Sequence, residues 1–325
     1  MLQQKDLLAH DLLAELEAAR RVAMPFLHKT PLVRSRRLGD RVDADLYFKL
    51  ECMQKTGAFK VRGMMNKMMR LTPTERASGV VSFSSGNAAL GLAYAAAKVG
   101  TKATVFVYHN ASRFKIAAAR EYGAELVLVE DHATLRARAE TFAEETSRLL
   151  VHPYDDRDLM VGHASAGLEI FEDLPSVGTI VTAIGGGGMA GGLALATRAW
   201  QPDHAVRLIG VEPEGADQMR RSLAAGEPVA FEGRSVAEGL SPPTAGRHCF
   251  DLIKQDFAEH LLVSDAEIVA AMVDLMTGLK IVAEPSGTAA LAAVLSGRIA
   301  LDRERPTVVL VSGGNIDPDR LKQLL

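Results

Sequence analysis

Several features that define large classes of protein are scarce or missing in this sequence. Its two cysteines, Cys52 and Cys249, stand in no Cys-x-x-Cys or Cys/His spacing, so neither a disulfide framework nor a zinc motif is indicated. The net charge of −3 offers no basic surplus for nucleic acid. No apolar run is long enough to span a bilayer, and the charged N-terminus has no signal-peptide core. These absences predict a soluble cytoplasmic protein that binds neither nucleic acid nor membrane.

What the sequence does contain is a regular alternation of β-rich and helical segments. Its 325 residues, 48% of them hydrophobic, suffice for one large or two ordinary domains. The alternation is typical of βαβ units, which build mainly parallel sheets covered by helices. A break between two αβ blocks is expected near residues 152–156. The predicted strands are 45–51, 79–84, 103–108, 125–130, 178–185, 206–212, 260–264 and 306–312.

A run of four glycines, Gly185 to Gly188, follows one predicted strand and opens the next helix. A backbone without side chains can approach an anion closely, and the N–H groups of a helix N-terminus favour a phosphate. The run also satisfies Gly-x-Gly-x-x-Gly through Gly186, Gly188 and Gly191, and Glu212 stands where dinucleotide enzymes place their ribose-binding acid. This segment alone leaves a phosphate-bearing cofactor and a dinucleotide both open.

Three further segments place reactive or polar side chains at the ends of strands. Lys60 begins a predicted helix, where the macrodipole disfavours a cation. This placement lowers the pKa of the amine, which suits a lysine that forms a Schiff base. Taken alone, the segment favours an exposed lysine without a role. Residues 84–87, Ser-Ser-Gly-Asn, offer a cradle for a carboxylate, although helix caps are the simpler interpretation. Residues 312–317 end the last strand, where ligands bind in open α/β sheets.

Taken together, five ordered segments resemble the fold-type II pyridoxal-phosphate (PLP) enzymes, especially the threonine/serine dehydratases and serine racemases. The resemblance covers nearly the whole chain and implies an α/β fold like that of the tryptophan synthase β subunit, with two open, mainly parallel sheets and helices on both faces. A large PLP-binding domain of residues 1–52 and 154–325 is expected, with a small domain of residues 53–153 and the active site between them. The segments are TGAFKVRG (56–63), SSGN (84–87), GGGGMAGG (185–192), EPSGTAALA (284–292) and SGGNID (312–317).

The resemblance also implies roles for individual residues. Lys60 would hold PLP as a Schiff base and move the proton at the substrate Cα, and Ser85 matches the opposite-face acid/base of the racemases. Ser312 would face the pyridine nitrogen with a hydroxyl, which does not keep that nitrogen protonated. A neutral ring is a weaker electron sink and suits prompt loss of a β-substituent. The implied cofactor-binding residues are Phe59, Lys60, Asn87, Gly185, Gly186, Gly187, Gly188, Met189, Gly239, Glu284 and Ser312. The implied substrate-binding residues are Ser84, Ser85, Gly86 and Asn87.

The implied activity is that of an ammonia-lyase, or dehydratase. It would remove the β-hydroxyl of a small amino acid such as threonine, serine or 3-hydroxyaspartate, giving a 2-oxo acid and ammonia. A racemase and a β-replacement enzyme share the same cofactor residues and stay open as alternatives. An NAD-dependent oxidoreductase using the glycine run and Glu212 is the alternative from another class.

The sequence departs from the family pattern mainly around the substrate. The usual SSGNHAQG reads SSGNAALG, and the usual GQGT reads Gly162-His163-Ala164-Ser165. PLP chemistry is therefore expected more firmly than threonine as the substrate. Relatives carry a divalent-cation site after the strand ending at Glu212, so Mg²⁺ or another cation is expected at Glu212 and Ala216, with surface acids on a loop as the alternative. Relatives are often dimers, so a homodimer is expected.

Overall fold

Two sheets form the framework of the computed structural model, which describes residues 2–84, 86–109, 111–201 and 203–325. The strands are β1 (Leu32–Arg34), β2 (Leu46–Leu50), β3 (Val80–Phe83), β4 (Ala103–Tyr108), β5 (Glu125–Val129), β6 (Leu149–Leu150), β7 (Thr179–Ala183), β8 (Arg207–Pro213), β9 (Phe257–Val263) and β10 (Thr307–Val311). The helices are α1 (Leu2–Ala23), α2 (Arg36–Val42), α3 (Lys60–Met69), α4 (Pro73–Ser78), α5 (Asn87–Val99), α6 (Arg113–Glu121), α7 (Leu135–Thr146), α8 (Arg157–Asp173), α9 (Gly188–Trp200), α10 (Gln218–Ala225), α11 (Arg247–Asp256), α12 (Asp265–Leu279), α13 (Pro285–Leu295) and α14 (Pro318–Leu324).

The larger sheet has six strands in the order β1-β2-β10-β7-β8-β9. The β1–β2 pair is antiparallel and the other pairs are parallel. All five residues of β7 and all five of β10 are buried, as expected for central strands covered on both faces. One face packs on α1, α8, α9 and α11, and the other on α2, α12 and α13.

The smaller sheet has four parallel strands in the order β5-β4-β3-β6. Apolar residues of α3 and α5 cover one face, and those of α7 cover the other. Helix α3 also packs against α8, which belongs to the core of the larger sheet. The helix that begins with Lys60 therefore lies where the two cores meet.

The predicted α/β architecture is confirmed, and each predicted strand corresponds to an observed one. Two strands were not predicted, the antiparallel β1 and the two-residue β6. Strand β9 begins at Phe257, three residues before the predicted start at residue 260. All strands of the smaller sheet fall within residues 53–153, which supports the predicted domain division; that division stays a prediction. In the described ranges, none of the helices combines the length and the apolar character needed to cross a bilayer.

Candidate active site

Lys60 stands at the start of α3 with its amine against the segment that leads from β6 into α8. Its Nζ donates a hydrogen bond to the Pro153 carbonyl at 2.9 Å, and it lies 5.2 Å from the ring centroid of Phe59 and 5.9 Å from that of Tyr154. Within the part of the chain that the structure describes, this amine forms no ion pair with a carboxylate. Burial lowers the pKa of Lys60 from its ordinary value to about 8. The result is an amine that loses its proton readily.

The glycine loop, defined as Gly185 to Gly188, connects β7 to α9. Gly187 has a φ of 97°, in the left-handed region that favours glycine. A Cβ on Gly186 would overlap the ring of Tyr154, and one on Gly187 would lie 2.6 Å from the Cβ of Cys249. Among described residues, no protein acceptor faces the N–H groups of the first three glycines. Free donors at a helix N-terminus form a cradle for an anionic group.

Ser312 and Gly239 connect the region of Lys60 to the glycine loop. The Ser312 carbonyl accepts the N–H of Phe59 at 3.1 Å, and its Oγ donates to the carbonyl of Ser286 at 3.3 Å. The N–H of Gly239 donates to Ser286 Oγ at 3.0 Å, and the Gly239 carbonyl lies 3.0 Å from where a Cβ on Gly185 would stand. The ends of β7 and β10 are thus linked through Ser286, in the first turn of α13, and the turn that contains Gly239.

Asn87 uses its side-chain amide for contacts outside its own helix. Its Nδ2 donates to Glu284 Oε1, and its Oδ1 accepts from Asn315 Nδ2 at 2.9 Å. The second carboxylate oxygen of Glu284 accepts from Lys115 Nζ at 2.9 Å. A Cβ on Gly313 would lie 3.2 Å from Asn87 Nδ2, so this network borders the loop after β10. Asn87, Glu284 and Ser312 therefore share one side of the site.

The segment 84–87 leads from β3 into α5, as predicted, but its described side chains do not cap the helix. Gly86 is the N-cap residue, no described side chain bonds to the first turn, and the Gly86 N–H donates to Ser84 Oγ at 3.3 Å. The interpretation as simple helix caps is therefore wrong for Ser84 and Asn87. Ser85, predicted as a catalytic and substrate-binding residue, lies outside the described residues.

A fully buried charge cluster lies behind Lys60. The Arg62 guanidinium donates to Glu51 at 2.7 and 2.8 Å and to Glu169 at 2.8 and 2.9 Å. Lys49 Nζ donates to the same Glu169 at 2.6 Å. The four side chains are at most 5% exposed. Two cations and two carboxylates thus fix α3 to β2 and α8 without net charge.

The geometry therefore brings a half-buried lysine, an anion cradle and a set of polar groups to the ends of the strands. A family model described as pyridoxal-phosphate dependent enzyme matches residues 23–313 of the chain. The chain belongs to this family of PLP-dependent enzymes. The resemblance drawn from the five sequence segments is thereby confirmed.

Individual relatives of this PLP enzyme resemble it over nearly its full length. The catabolic L-threonine dehydratase TdcB of Staphylococcus aureus strain N315 is 35% identical over 320 residues, covering 96% of this chain and 91% of the relative. The structure of maize serine racemase matches with a TM-score of 0.90 at 32% identity, covering 96% of this chain and 95% of the other. The T.th. threonine deaminase matches with a TM-score of 0.87 at 37% identity, covering 94% of this chain and 98% of the other.

Glu212 uses its carboxylate to hold the start of a helix. Its two carboxylate oxygens accept the N–H groups of Met219 and Arg220, each at 2.8 Å, at the start of α10. Glu212 is 1% exposed, so its interpretation as a surface acid is wrong. The described residues contain no group of three His, Cys, Asp or Glu side chains that could hold a metal. The cation site at Glu212 and Ala216 stays a prediction.

Sequence reasoning assigned no role to two aromatic side chains of the PLP enzyme's site. Tyr154 separates Lys60 from Gly186, and its hydroxyl donates to the Thr244 carbonyl at 3.0 Å. His163 packs edge-on against Phe59 with ring centroids 4.9 Å apart. For His163, the available signal was the departure at residues 162–165 from the pattern of the family that the sequence resembles.

Proposed function

We propose that this PLP enzyme is an ammonia-lyase (dehydratase) that removes the β-hydroxyl of a small amino acid and yields a 2-oxo acid and ammonia. The observation that carries this proposal is the readily deprotonated amine of Lys60 beside the glycine loop, which forms no ion pair with a described carboxylate. The threonine dehydratase and threonine deaminase among the relatives support elimination as the reaction class.

Lys60 would anchor the cofactor and then serve as the base. With a pKa of about 8, roughly a tenth of the amine is neutral at pH 7, far more than for an ordinary lysine. Among the described residues, its hydrogen-bond partner is the neutral Pro153 carbonyl, which does not hold the proton as a carboxylate would. Lys60 is thus suited both to nucleophilic attack and to moving a proton at the substrate Cα.

The other residues of the site fit PLP group by group. The N–H groups of the glycine loop would bind the phosphate, with Met189 extending the cradle into α9. Ser312 would meet the ring nitrogen with a hydroxyl, which does not force that nitrogen to stay protonated, and Asn87 would bind the ring oxygen. When bound, PLP supplies an electron sink for the charge that develops at the substrate Cα.

The substrate would bind at the start of α5. The Ser84 hydroxyl and the N–H of Asn87, the first residue of α5, offer donors for a carboxylate, with Ser85 as a further donor by resemblance. A carboxylate held there would orient the substrate so that Lys60 moves the proton at its Cα. We propose that Ser84, Ser85, Gly86 and Asn87 form the substrate-binding segment.

A second candidate is amino-acid racemisation, which the similarity to maize serine racemase favours. Racemisation needs a second acid/base on the face opposite Lys60, and Ser85 would supply it. The two reactions are separated by their products. A single enantiomer of serine would be incubated with the enzyme, and the amount of 2-oxo acid and the chirality of the remaining serine would be measured. Formation of 2-oxo acid without the second enantiomer supports the lyase, whereas the second enantiomer without 2-oxo acid supports the racemase.

The lyase is tested with threonine, serine and 3-hydroxyaspartate as separate substrates and 2-oxo acid formation as the readout. Lys60→Ala is expected to abolish turnover on every substrate. Lys55→Ala, which removes an exposed lysine from the same loop, is the matched control and should leave turnover unchanged. If the PLP-loaded wild-type enzyme converts none of the three amino acids, the proposal is contradicted.

We also propose that the enzyme is a homodimer and works in the cytoplasm. Val22, Met24, Val33 and Met53 are large apolar side chains between 37% and 55% exposed, which favours contact with a second copy. Both cysteines are free, in keeping with a reducing compartment. Light scattering after size exclusion should give twice the mass of one chain, and a monomer would contradict the dimer.

A further inference from the structure

His163 is a fully buried histidine on α8 that contacts three parts of the site. Its Nδ1 accepts the backbone N–H of Gly63, in α3, at 3.1 Å. Its ring packs edge-on against Phe59, the residue before Lys60. Its Cδ2 lies 3.6 Å from where a Cβ on Gly188 would stand, at the start of α9. One imidazole therefore lies between the lysine helix and the helix of the glycine loop.

Glycines make room for this imidazole. A Cβ on Gly63 would overlap the His163 ring, and one on Gly192 would lie 2.8 Å from the His163 Cβ. A Cβ on Gly162 would lie 2.5 Å from the carbonyl oxygen of Arg62. The three glycines bring α3, α8 and α9 so close that a side chain of α8 reaches the backbone of α3.

The hydrogen bond falls in the turn that places Lys60. Phe59 is the N-cap residue of α3 and its side chain makes no capping hydrogen bond. The Phe59 carbonyl already accepts the Arg62 N–H at 2.9 Å. His163 gives the next N–H, that of Gly63, an acceptor from outside the helix. The N-terminal turn of α3 is thus fixed by α8 as well as by its own backbone.

The bond also determines the form of the imidazole. Because the Gly63 N–H is the donor, Nδ1 must carry a lone pair, so the ring proton sits on Nε2. Nε2 is buried and has no partner among the residues that the structure describes. Burial and the neighbouring Lys60 and Arg62, both on α3, hold the pKa of His163 well below its ordinary value. The ring is neutral, with a fixed tautomer.

We propose that His163 is a positioning residue: its neutral Nδ1 holds the first turn of α3 and thereby sets where Lys60 stands relative to the glycine loop. The inference rests on the proposed function, since it takes Lys60 as the cofactor lysine. A glutamine oxygen could accept the same N–H. Acceptance of the Gly63 N–H, rather than the imidazole as such, is what this position requires.

The test compares His163→Gln, which keeps an acceptor, with His163→Met, which keeps much of the volume without a strong one. In the PLP-loaded enzyme, the Met variant should lose about tenfold in kcat, roughly the effect of one hydrogen bond, with KM within about twofold. It should also change the visible circular dichroism of the bound cofactor. The Gln variant should restore kcat to within about threefold of wild type and should also restore the dichroism of the cofactor. His204→Met, on a histidine bonded to the Val177 carbonyl, is the control and should change neither.

A Met variant with wild-type kcat and dichroism, or a Gln variant no better than Met, would overturn the proposal. A nitrogen-15 spectrum of the holoenzyme's histidines needs no variant, so it stays informative if the Met variant does not fold. A neutral His163 with its proton on Nε2 is expected, and a proton on Nδ1 would overturn the inference. Loss of cofactor in Lys60→Ala tests the proposed function separately, because it does not depend on residue 163.

Discussion

Replacing Arg62 by methionine should destabilise the enzyme strongly, because Arg62 neutralises buried carboxylates. The guanidinium is 1% exposed and bonds to Glu51 and Glu169. In Arg62→Met, Lys49 alone faces both carboxylates, so the cluster carries one uncompensated negative charge away from water. Breaking a buried ion pair by removing one partner costs about 3–5 kcal/mol. We expect the free energy of unfolding to fall by that amount.

A second substitution distinguishes the effect of the unbalanced charge from the effect of lost packing. In the double variant Arg62→Met/Glu51→Gln, the remaining Lys49–Glu169 pair, at 2.6 Å, is balanced. The double variant should therefore recover roughly 1–3 kcal/mol relative to Arg62→Met. Arg41→Met is the control, since Arg41 is 48% exposed and pairs with Asp274 at the surface. It should cost less than about 1 kcal/mol.

The assay is urea unfolding followed by circular dichroism and by the fluorescence of Trp200, the one tryptophan of the chain. The midpoints and slopes of unfolding would be compared among wild type, Arg62→Met, the double variant and Arg41→Met. A changed slope would show that the folded or unfolded state itself differs between them. The reasoning is refuted if Arg62→Met lies within about 1 kcal/mol of wild type, or if adding Glu51→Gln destabilises it further.

Three more predictions follow from the site. Gly186→Ala should weaken PLP binding roughly tenfold or more in an equilibrium titration, because its Cβ overlaps Tyr154, while Gly226→Ala, at a φ of 85° in open space, should cost stability only. Uptake of PLP by the apoenzyme should accelerate up to about pH 8 and then level off, because the Lys60 amine has a pKa of about 8; continued acceleration toward pH 10 would contradict this. Burial lowers the pKa of His152 to about 4, below its ordinary 6.5, so stability should be lost as the pH falls through that window, and His152→Asn should lessen the fall in Tm; an identical fall would contradict it.

The sequence could predict those features that depend on local pattern. Most strands could be recognised as short apolar runs between helical segments. Lys60, the glycine loop and Ser312 could be recognised as parts of motifs at the ends of strands. Strand β6 was not, because two residues carry no periodicity. Strand β1 was not, because only its antiparallel pairing with β2 makes three residues a strand.

Contacts between distant segments could not be predicted in the same way. His163 reaches Gly63 across 100 positions, and Arg62 reaches Glu169 across 107. No spacing rule links such positions, so the positioning histidine and the buried charge cluster emerged only with the fold. The role of Asn87 was missed for the same reason, since its contacts with Glu284 and Asn315 span 197 and 228 positions.

The central claim is that Lys60 binds PLP covalently, and a visible absorbance spectrum before and after borohydride tests it most directly. Wild-type protein is expected to show a visible cofactor band that borohydride removes while leaving the cofactor attached to the peptide containing Lys60. Lys60→Ala should lack the band, and Lys55→Ala should keep it. Cofactor trapped on another lysine, or a Lys60→Ala variant with an unchanged band, would contradict the account.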